Sequence, residues 1–338
     1  MNRQLGVECI DLGFEESASI LDRSIGDARA WLAADIDKAA CLVMLDDAAR
    51  DEILQMADKM RAQPLPVLLR DPAQFEMNAL RDFMLRARSL LDGRSGIAVI
   101  DRLPMDVIDE HEAVAMFWVL GKLVGRPVAQ KWDGTMLYDV MDTGQRYSYG
   151  VRGSYTNVEL LFHTDNAFAV TPPEYVALLC IRPAKQGGVS RFCSVFAVHN
   201  RMLSEHPREL ERLYECVFWD RQAEHAPGAP KVTSAPVFRY RDGGLSARLN
   251  VSLIRKGYEV AGVEMDTRTR RALEALEDVA EDPKLWFELP IERGQLQFLN
   301  NRTIAHYRSH FTDHDDPALK RHLVRTWHRA SGAPTYDG

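Results

Sequence analysis

The chain lacks most of the features that settle a protein's class at sight. Cysteine is scarce, with five in 338 residues. Cys9, Cys41, Cys180, Cys193 and Cys216 are odd in number, scattered and never spaced Cys-x-x-Cys. A disulfide scaffold is thereby excluded and a structural zinc site disfavoured, and the thiols read as reduced, mostly buried groups of a cytosolic protein. Basic excess is missing as well: 42 Lys and Arg stand against 49 Asp and Glu, a net charge of −7. A general nucleic-acid binder would carry the opposite balance. No long apolar run exists, since Ala113 to Leu120 is broken by Gly121 and Lys122, well short of the ~18 residues a membrane span needs. Met1 to Gly13 holds Glu8 and Asp11 and no apolar core of a secretory signal. Internal repeats and low-complexity segments are also lacking. What remains is a soluble, cytoplasmic globular protein with neither nucleic acid nor membrane as partner. Its 46% hydrophobic content is ample for a packed core, and a homo-oligomer is compatible with it.

The first ~95 residues look helical. Ala28 to Gln63 is rich in good helix formers until Pro64 and Pro66 break it. A second helix is expected from about Glu76 to Asp92, where Leu80, Phe83, Met84, Ala87 and Leu91 follow helical spacing and Gly93 follows as a cap. Gly96 to Ile100 reads as a short buried strand, and another helix runs near Glu110 to Val124. From Val128 the texture changes to short apolar or alternating runs between Gly, Pro, Asn and Asp clusters. These are Leu137–Val140, Val158–His163, Tyr175–Ile181, Ser190–Val195, Leu245–Asn250, Gln295–Asn300 and Arg321–Trp327. Many short strands with frequent turn signals predict a sandwich or barrel. Helical insertions near Val198–Val217 and Thr267–Val279 interrupt the series. Met141–Asn157 and Asp220–Pro236 read as long loops, the kind that serve as lids or are disordered. The expected architecture is mostly β with helical additions (α+β), as one catalytic domain over 1–338. A helical N-terminal layer (1–95) packs on a double-stranded β-helix, or jelly roll (96–330).

The chemistry is concentrated at Phe162-His163-Thr164-Asp165 and, 143 residues after the first histidine, at Asn300-Asn301-Arg302-Thr303-Ile304-Ala305-His306. In a strand, residues i and i+2 share a face, so His163 and Asp165 can both point inward while Thr164 faces away. Two imidazoles and one carboxylate are the facial triad that holds Fe(II) and leaves positions open for substrate and O₂. A His-x-Asp alone more often marks a surface turn or a satisfied polar pair. Its weight grows with Arg321-His322-Leu323-Val324-Arg325, whose alternation sets Arg321 and Arg325 on one face; buried arginines are costly unless each meets an anion.

Taken together, Phe162-His163-Thr164-Asp165, Gly187-Gly188-Val189-Ser190, Asn300-Asn301 to His306 and Arg321-x-x-x-Arg325 resemble the Fe(II)/2-oxoglutarate-dependent oxygenases. The likeness is to the taurine dioxygenase and 2,4-dichlorophenoxyacetate dioxygenase group, with clavaminate synthase as a relative, and covers roughly Gly96 to Arg329. It implies a jelly roll in which His163, Asp165 and His306 bind iron. It implies that Arg321 and Ser190 hold the distal carboxylate of 2-oxoglutarate, and that Arg325 meets an acidic group of the substrate. The segment between His306 and Arg321 is longer than in taurine dioxygenase, so the two arginines are open to exchange. Halogenating relatives carry a small residue in place of the carboxylate, so Asp165 favours hydroxylation, desaturation or another oxygenase outcome.

Strand alternation also aims Glu159 at the cavity, where it would receive a cationic group of the substrate or pair with an arginine. Arg152, Tyr147 and Tyr149 are candidate lid contacts or ordinary exposed residues. Gln130 and Trp132 either line the cavity floor or pack in the core. His310 and His314 compete with His306 but follow the turn and look solvated, while His199, His206, His225, His322 and His328 read as structural or exposed. The expected enzyme is an Fe(II)-, 2-oxoglutarate- and O₂-dependent oxygenase that oxidises a small organic molecule, an amino acid or other carboxylate, with release of succinate and CO₂. A cupin-type metal hydrolase using the same triad, and a non-catalytic jelly-roll binder of small molecules, stand as alternatives.

Overall fold

The structure is a computed structural model that describes residues 6–13, 19–146, 148 and 150–337. Tyr147 and Tyr149 lie outside the described residues. Two sheets face each other. The larger runs Leu42–Met44, Ile97–Asp101, Leu296–Asn300, Tyr175–Arg182, His322–Arg329 and Arg126–Val128, with Tyr138–Val140 also paired to His322–Arg329. The smaller runs Trp286–Leu289, Ser190–Ser194, Ile304–Arg308 and Leu160–His163. From Leu160 onward the chain passes back and forth between the two sheets, which makes the expected double-stranded β-helix.

Helices α1 (Asp47–Ala62), α2 (Asn78–Asp92) and α3 (Glu110–Val124) cover the outer face of the larger sheet. In α1, Ile53, Met56, Ala57 and Met60 form the buried stripe. They share a core with Phe83 and Leu91 of α2, Met116 of α3, and Ala98, Ile100, Leu179 and Phe298 of the sheet. The expected helix from Ala28 begins only at Asp47, with Asp46 as its cap. Upstream, carboxylates take local backbone bonds instead: Asp27 accepts from Arg29, Asp35 from Leu32 and Asp37 from Ala39. Such turns compete with helix, and Leu42–Met44 then joins the sheet edge in parallel with Ile97–Asp101.

The two insertions pack on the other side. Val198–Val217 resolves into α4 (Val195–Glu205) and α5 (Pro207–Leu213), because Pro207 cannot continue the ladder. Val217 instead opens a strand, Val217–Asp220, which pairs with Val232–Ala235; the expected loop from Asp220 to Pro236 is thus confined to 221–231, with strand at each end. Asn250, expected at a strand end, caps an unexpected helix α6 (Val251–Ala261) by accepting from the Leu253 amide. Helix α7 (Thr267–Glu281) follows as expected. The five cysteines are free thiols. No helix among the described residues is long and apolar enough to cross a membrane.

Candidate metal and co-substrate site

His163 closes the strand Leu160–His163 and lies directly opposite His306 in register. Their rings stand 4.2 Å apart. Asp165 follows two residues on, and its Oδ1 is 3.7 Å from Nε2 of each imidazole. The three donor atoms fall within 4.8 Å of one another. Thr164 turns away as alternation requires: its amide donates to the Leu249 carbonyl (2.7 Å) and its hydroxyl accepts from the Leu249 amide (3.1 Å). His163 Nδ1 sits 2.7 Å from the Leu161 carbonyl, so the ring proton belongs there and the Nε2 lone pair faces Asp165.

The other oxygen of Asp165 is held by the opposite sheet. Oδ2 accepts from Trp327 Nε1 at 2.7 Å and from Arg325 Nη1 at 3.1 Å. Arg325 is itself fixed, since its Nε donates to Gln130 Oε1 (2.8 Å) while Gln130 Nε2 donates to the Arg325 carbonyl (2.7 Å). Asn301 clamps the backbone of Asp165: its Oδ1 accepts from the Asp165 amide (2.7 Å) and its Nδ2 donates to the Asp165 and Pro173 carbonyls (3.0 Å each). Burial by itself would raise the Asp165 pKa; Arg325, then the two histidines and the Trp327 bond, hold it down to about 2. Burial, and then the neighbouring His163, push His306 down to about 3, and burial lowers His163 too. One carboxylate and two neutral imidazoles with converging lone pairs are the donor set Fe(II) takes.

Beyond the triad lies a second group of cations. Ser190 and Arg308 oppose each other in register, on the face they share with His306. Arg308 Nη2 donates to the carbonyls of Thr156 (2.9 Å), Gly153 (3.4 Å) and Val158, which leaves its buried Nε and Nη1 without partners. Arg321 is 4% exposed, its Nη1 is likewise unpartnered, and it makes no ion pair among the described residues. Both guanidiniums stack 5.0 Å from the Phe311 ring. Burial pushes Arg308 down to about 9 and Arg321 down to about 10. The Gly187-Gly188 pair makes this close approach feasible. Both have positive φ (78° and 68°), and a Cβ would meet the His310 carbonyl at 2.2 Å in the first case and Arg321 Nε at 3.1 Å in the second. Buried unpaired guanidiniums call for an anion, which fits the far carboxylate of 2-oxoglutarate.

His163 and Asp165 open on a cavity of about 250 Å³ lined also by Arg325, Trp327, Ser154, Asn250 and Glu159. Ser190 and Arg321 do not border it; Arg321 lines a separate cavity of about 460 Å³ with Gly187, Gly188 and Leu323. Arg308 stands between the two, its charge bearing on both His163 and Arg321. Glu159 stays at the cavity edge but not as alternation predicts. Between His306 and Arg308 the partner strand carries one extra residue, so Leu160 faces Arg308 and the Glu159 carboxylate accepts instead from the Tyr307 hydroxyl. Arg152 is buried, neither exposed nor loose, and pairs with Glu224 at 2.8 Å. Gln130 is fully buried, whereas Trp132 is half exposed and neither lines the cavity nor packs in the core. His310 is exposed, and neither it nor His314 joins the cluster.

Arg308, Asn301 and Trp327 carry contacts that sequence reasoning did not assign. The signal for Arg308 was its place two residues after His306, the same spacing that links His163 to Asp165.

The model of the taurine catabolism dioxygenase TauD, TfdA family matches residues 67–327. FR-33289 synthase of Streptomyces rubellomurinus (strain ATCC 31215) is 28% identical over 314 residues, 91% of this chain and 91% of that protein. A uridine-5'-phosphate dioxygenase of a Streptomyces species is 27% identical over 169 residues, 49% of this chain and 60% of its own. Among solved structures, asparagine oxygenase superposes with a TM-score of 0.67 at 21% identity, over 86% of this chain and 93% of that one. The non-heme iron oxygenase OrfP, in complex with Fe and alpha-ketoglutaric acid, gives 0.63 at 18%, over 86% and 94%. These two show the fold. The hydrolase and the non-catalytic binder fall away with the family match: the chain belongs to the taurine catabolism dioxygenase TauD, TfdA family and is an Fe(II)- and 2-oxoglutarate-dependent dioxygenase.

Proposed function

We propose that His163, Asp165 and His306 hold the iron, that Arg321 and Ser190, joined by Arg308, hold the far carboxylate of 2-oxoglutarate, and that the cavity before the triad takes a small substrate carrying a carboxylate. Bound iron and 2-oxoglutarate supply the oxidising chemistry, in which O₂ and 2-oxoglutarate give succinate and CO₂ and one oxygen atom goes to the substrate. The division of labour on Asp165 carries this reading. Oδ1 faces both imidazoles, while Oδ2 is taken by Trp327 and Arg325. A carboxylate held in this way presents one oxygen to a metal in a fixed direction.

The remaining residues bind and orient. A two-residue step along the His306 strand, about 7 Å, separates the triad from Arg308, which is the scale of a five-carbon diacid. Arg325 spends Nε on Gln130 and Nη1 on Asp165, and its Nη2 is the donor for a carboxylate or similar anion on the substrate. Glu159, at the cavity edge, suits a cationic group, and the two charges together fit an amino acid or a derivative of one. Solved neighbours support that class: one holds 2S,3S-3-hydroxyasparagine and succinate, another (3S)-hydroxy-L-Arg. The reading takes 1–338 as one catalytic domain in the cytoplasm, with no nucleic-acid or membrane partner.

Anaerobic addition of Fe(II) and 2-oxoglutarate is expected to produce a weak visible charge-transfer band that His163→Ala abolishes. A folded, metal-loaded protein without that band refutes the assignment.

A further inference from the structure

The segment that follows the strand His322–Arg329 folds back over the site. Ala129 donates to the Pro334 carbonyl (2.9 Å), and the buried Arg329 guanidinium donates to the carbonyls of Ala333 (3.3 Å), Thr335 (2.9 Å) and Tyr336 (3.0 Å). A buried charge committed to main-chain carbonyls fixes this segment firmly. Tyr336, 6% exposed, donates its hydroxyl to Asn166 Oδ1 at 3.2 Å. Asn166 directly follows the carboxylate of the triad, borders the cavity, and holds a left-handed φ of 55°, a conformation asparagine accepts more readily than most non-glycine residues.

One residue on, Asp337 meets Arg221 at 3.3 Å. The Arg221 carbonyl accepts from the Glu224 amide (2.8 Å), and the Glu224 side chain pairs with Arg152. Arg152 Nη2 in turn donates to the carbonyl of Gln130 (2.9 Å), the residue that fixes Arg325. Arg152 and Gln222 both line the cavity, so the Arg152–Glu224 pair ties together the two loops that wall it. Tyr336 lies within electrostatic reach of both members of that pair.

We propose that Tyr336 is a positioning residue of this site: its hydroxyl fixes the Asp165–Asn166 turn, and with Asp337 it latches the two loops joined by Arg152 and Glu224. The inference rests on the reading of Asp165 as an iron ligand.

The test uses the full-length chain carrying Tyr336→Phe, which removes only the hydroxyl. Two quantities are read: the Fe(II) concentration that half-develops the charge-transfer band at saturating 2-oxoglutarate under anaerobic conditions, and amide hydrogen exchange across the chain. The loss of one hydrogen bond should raise the half-saturating Fe(II) roughly three- to tenfold and speed exchange at 165–168 by a similar factor. Exchange in α1 and α2 stays at the wild-type rate and reports an intact fold. Asp337→Asn should speed exchange at 221–225. Unchanged Fe(II) half-saturation, unchanged exchange at 165–168, or unchanged exchange at 221–225 in Asp337→Asn overturns the proposal. A wild-type protein with no band would instead refute the iron assignment, and exchange still reads the latch in that case.

Discussion

Arg321→Met separates what the proposed co-substrate anchor costs from what it contributes, because the two have opposite signs. The substitution keeps the aliphatic stem and removes a guanidinium that is 4% exposed and makes no ion pair among the described residues. Burial pushes that group down to about 10 from 12.5, which corresponds to about 3 kcal/mol spent on keeping it charged. Cys180 and Asp313 offset only part of that cost, and Arg321 in turn lowers Arg308, which stacks on the same Phe311 ring. Against this stands the cation–π contact with Phe311, about 1–2 kcal/mol when desolvated. Without 2-oxoglutarate the variant should therefore be more stable than wild type, by about 1–2 kcal/mol by that difference. With 2-oxoglutarate the order reverses. Removing one partner of a buried charge pair costs about 3–5 kcal/mol, roughly a hundred- to several-thousandfold rise in the 2-oxoglutarate needed for half-saturation. Urea denaturation of Fe(II)-loaded protein, with and without 2-oxoglutarate in the absence of O₂, reads both signs, and titration of the charge-transfer band reads the affinity. A variant that is less stable without 2-oxoglutarate and binds it normally refutes the reasoning. Loss of 2-oxoglutarate binding in Arg325→Met in its place would mean that the two arginines exchange roles.

Two further predictions follow from the same geometry. Trp327→Phe keeps an aromatic ring beside Arg325 but removes the 2.7 Å bond to Asp165 Oδ2, and supporting contacts of this kind are worth about 10- to 100-fold in metal affinity; an Fe(II) titration at the wild-type midpoint would show that the carboxylate needs no such support. His199 and His328 are fully buried, and burial pulls each down to about 4 from 6.5. The unfolded chain takes up these protons near pH 6.5 and the folded chain only near pH 4, so stability is intact above that window and falls as the pH drops through it. Each should forfeit about 2 kcal/mol between pH 7 and pH 5. Urea midpoints at the two pH values check this, and His328→Gln should remove about 2 kcal/mol of the dependence; an unchanged slope in that variant excludes His328 as a contributor.

The parts of this chain legible in its sequence are those set by one element's own period. Leu80, Phe83, Met84, Ala87 and Leu91 share a face of α2 because helical spacing alone puts them there, and all five are buried. His163 and Asp165 converge because two residues is the repeat of extended chain, and no other segment needs to be known. Helix α1 shows the limit. Ala28–Gln63 has helical composition throughout, yet Asp27, Asp35 and Asp37 each close a turn on a nearby amide, and a short carboxylate side chain offers the backbone an alternative that composition does not register. Helix α6 escaped notice for the converse reason: Asn250 is polar punctuation at the end of a strand and equally the cap of a helix.

The substrate end is harder to read because its residues depend on how two strands register, and a register is a property of the pair. Counting back from His163 in twos sends Glu159 into the cavity. One extra residue opposite the His306–Arg308 step reverses that parity and gives the Glu159 carboxylate to Tyr307. The same bulge brings Leu160 opposite Arg308, and Arg308 Nη2 then reaches the carbonyls of Gly153, Thr156 and Val158. A single side chain thus pins the loop above the cavity with one nitrogen and leaves two others without partners. Binding of a carboxylate at Nε and Nη1 would draw on the guanidinium that anchors the loop, so in the proposed assignment the wall facing the substrate and the co-substrate site would share one residue. Neither the bulge nor this sharing is visible in a strand read singly, which is why iron chemistry is legible in the chain while the molecule placed before it is set by contacts between its parts.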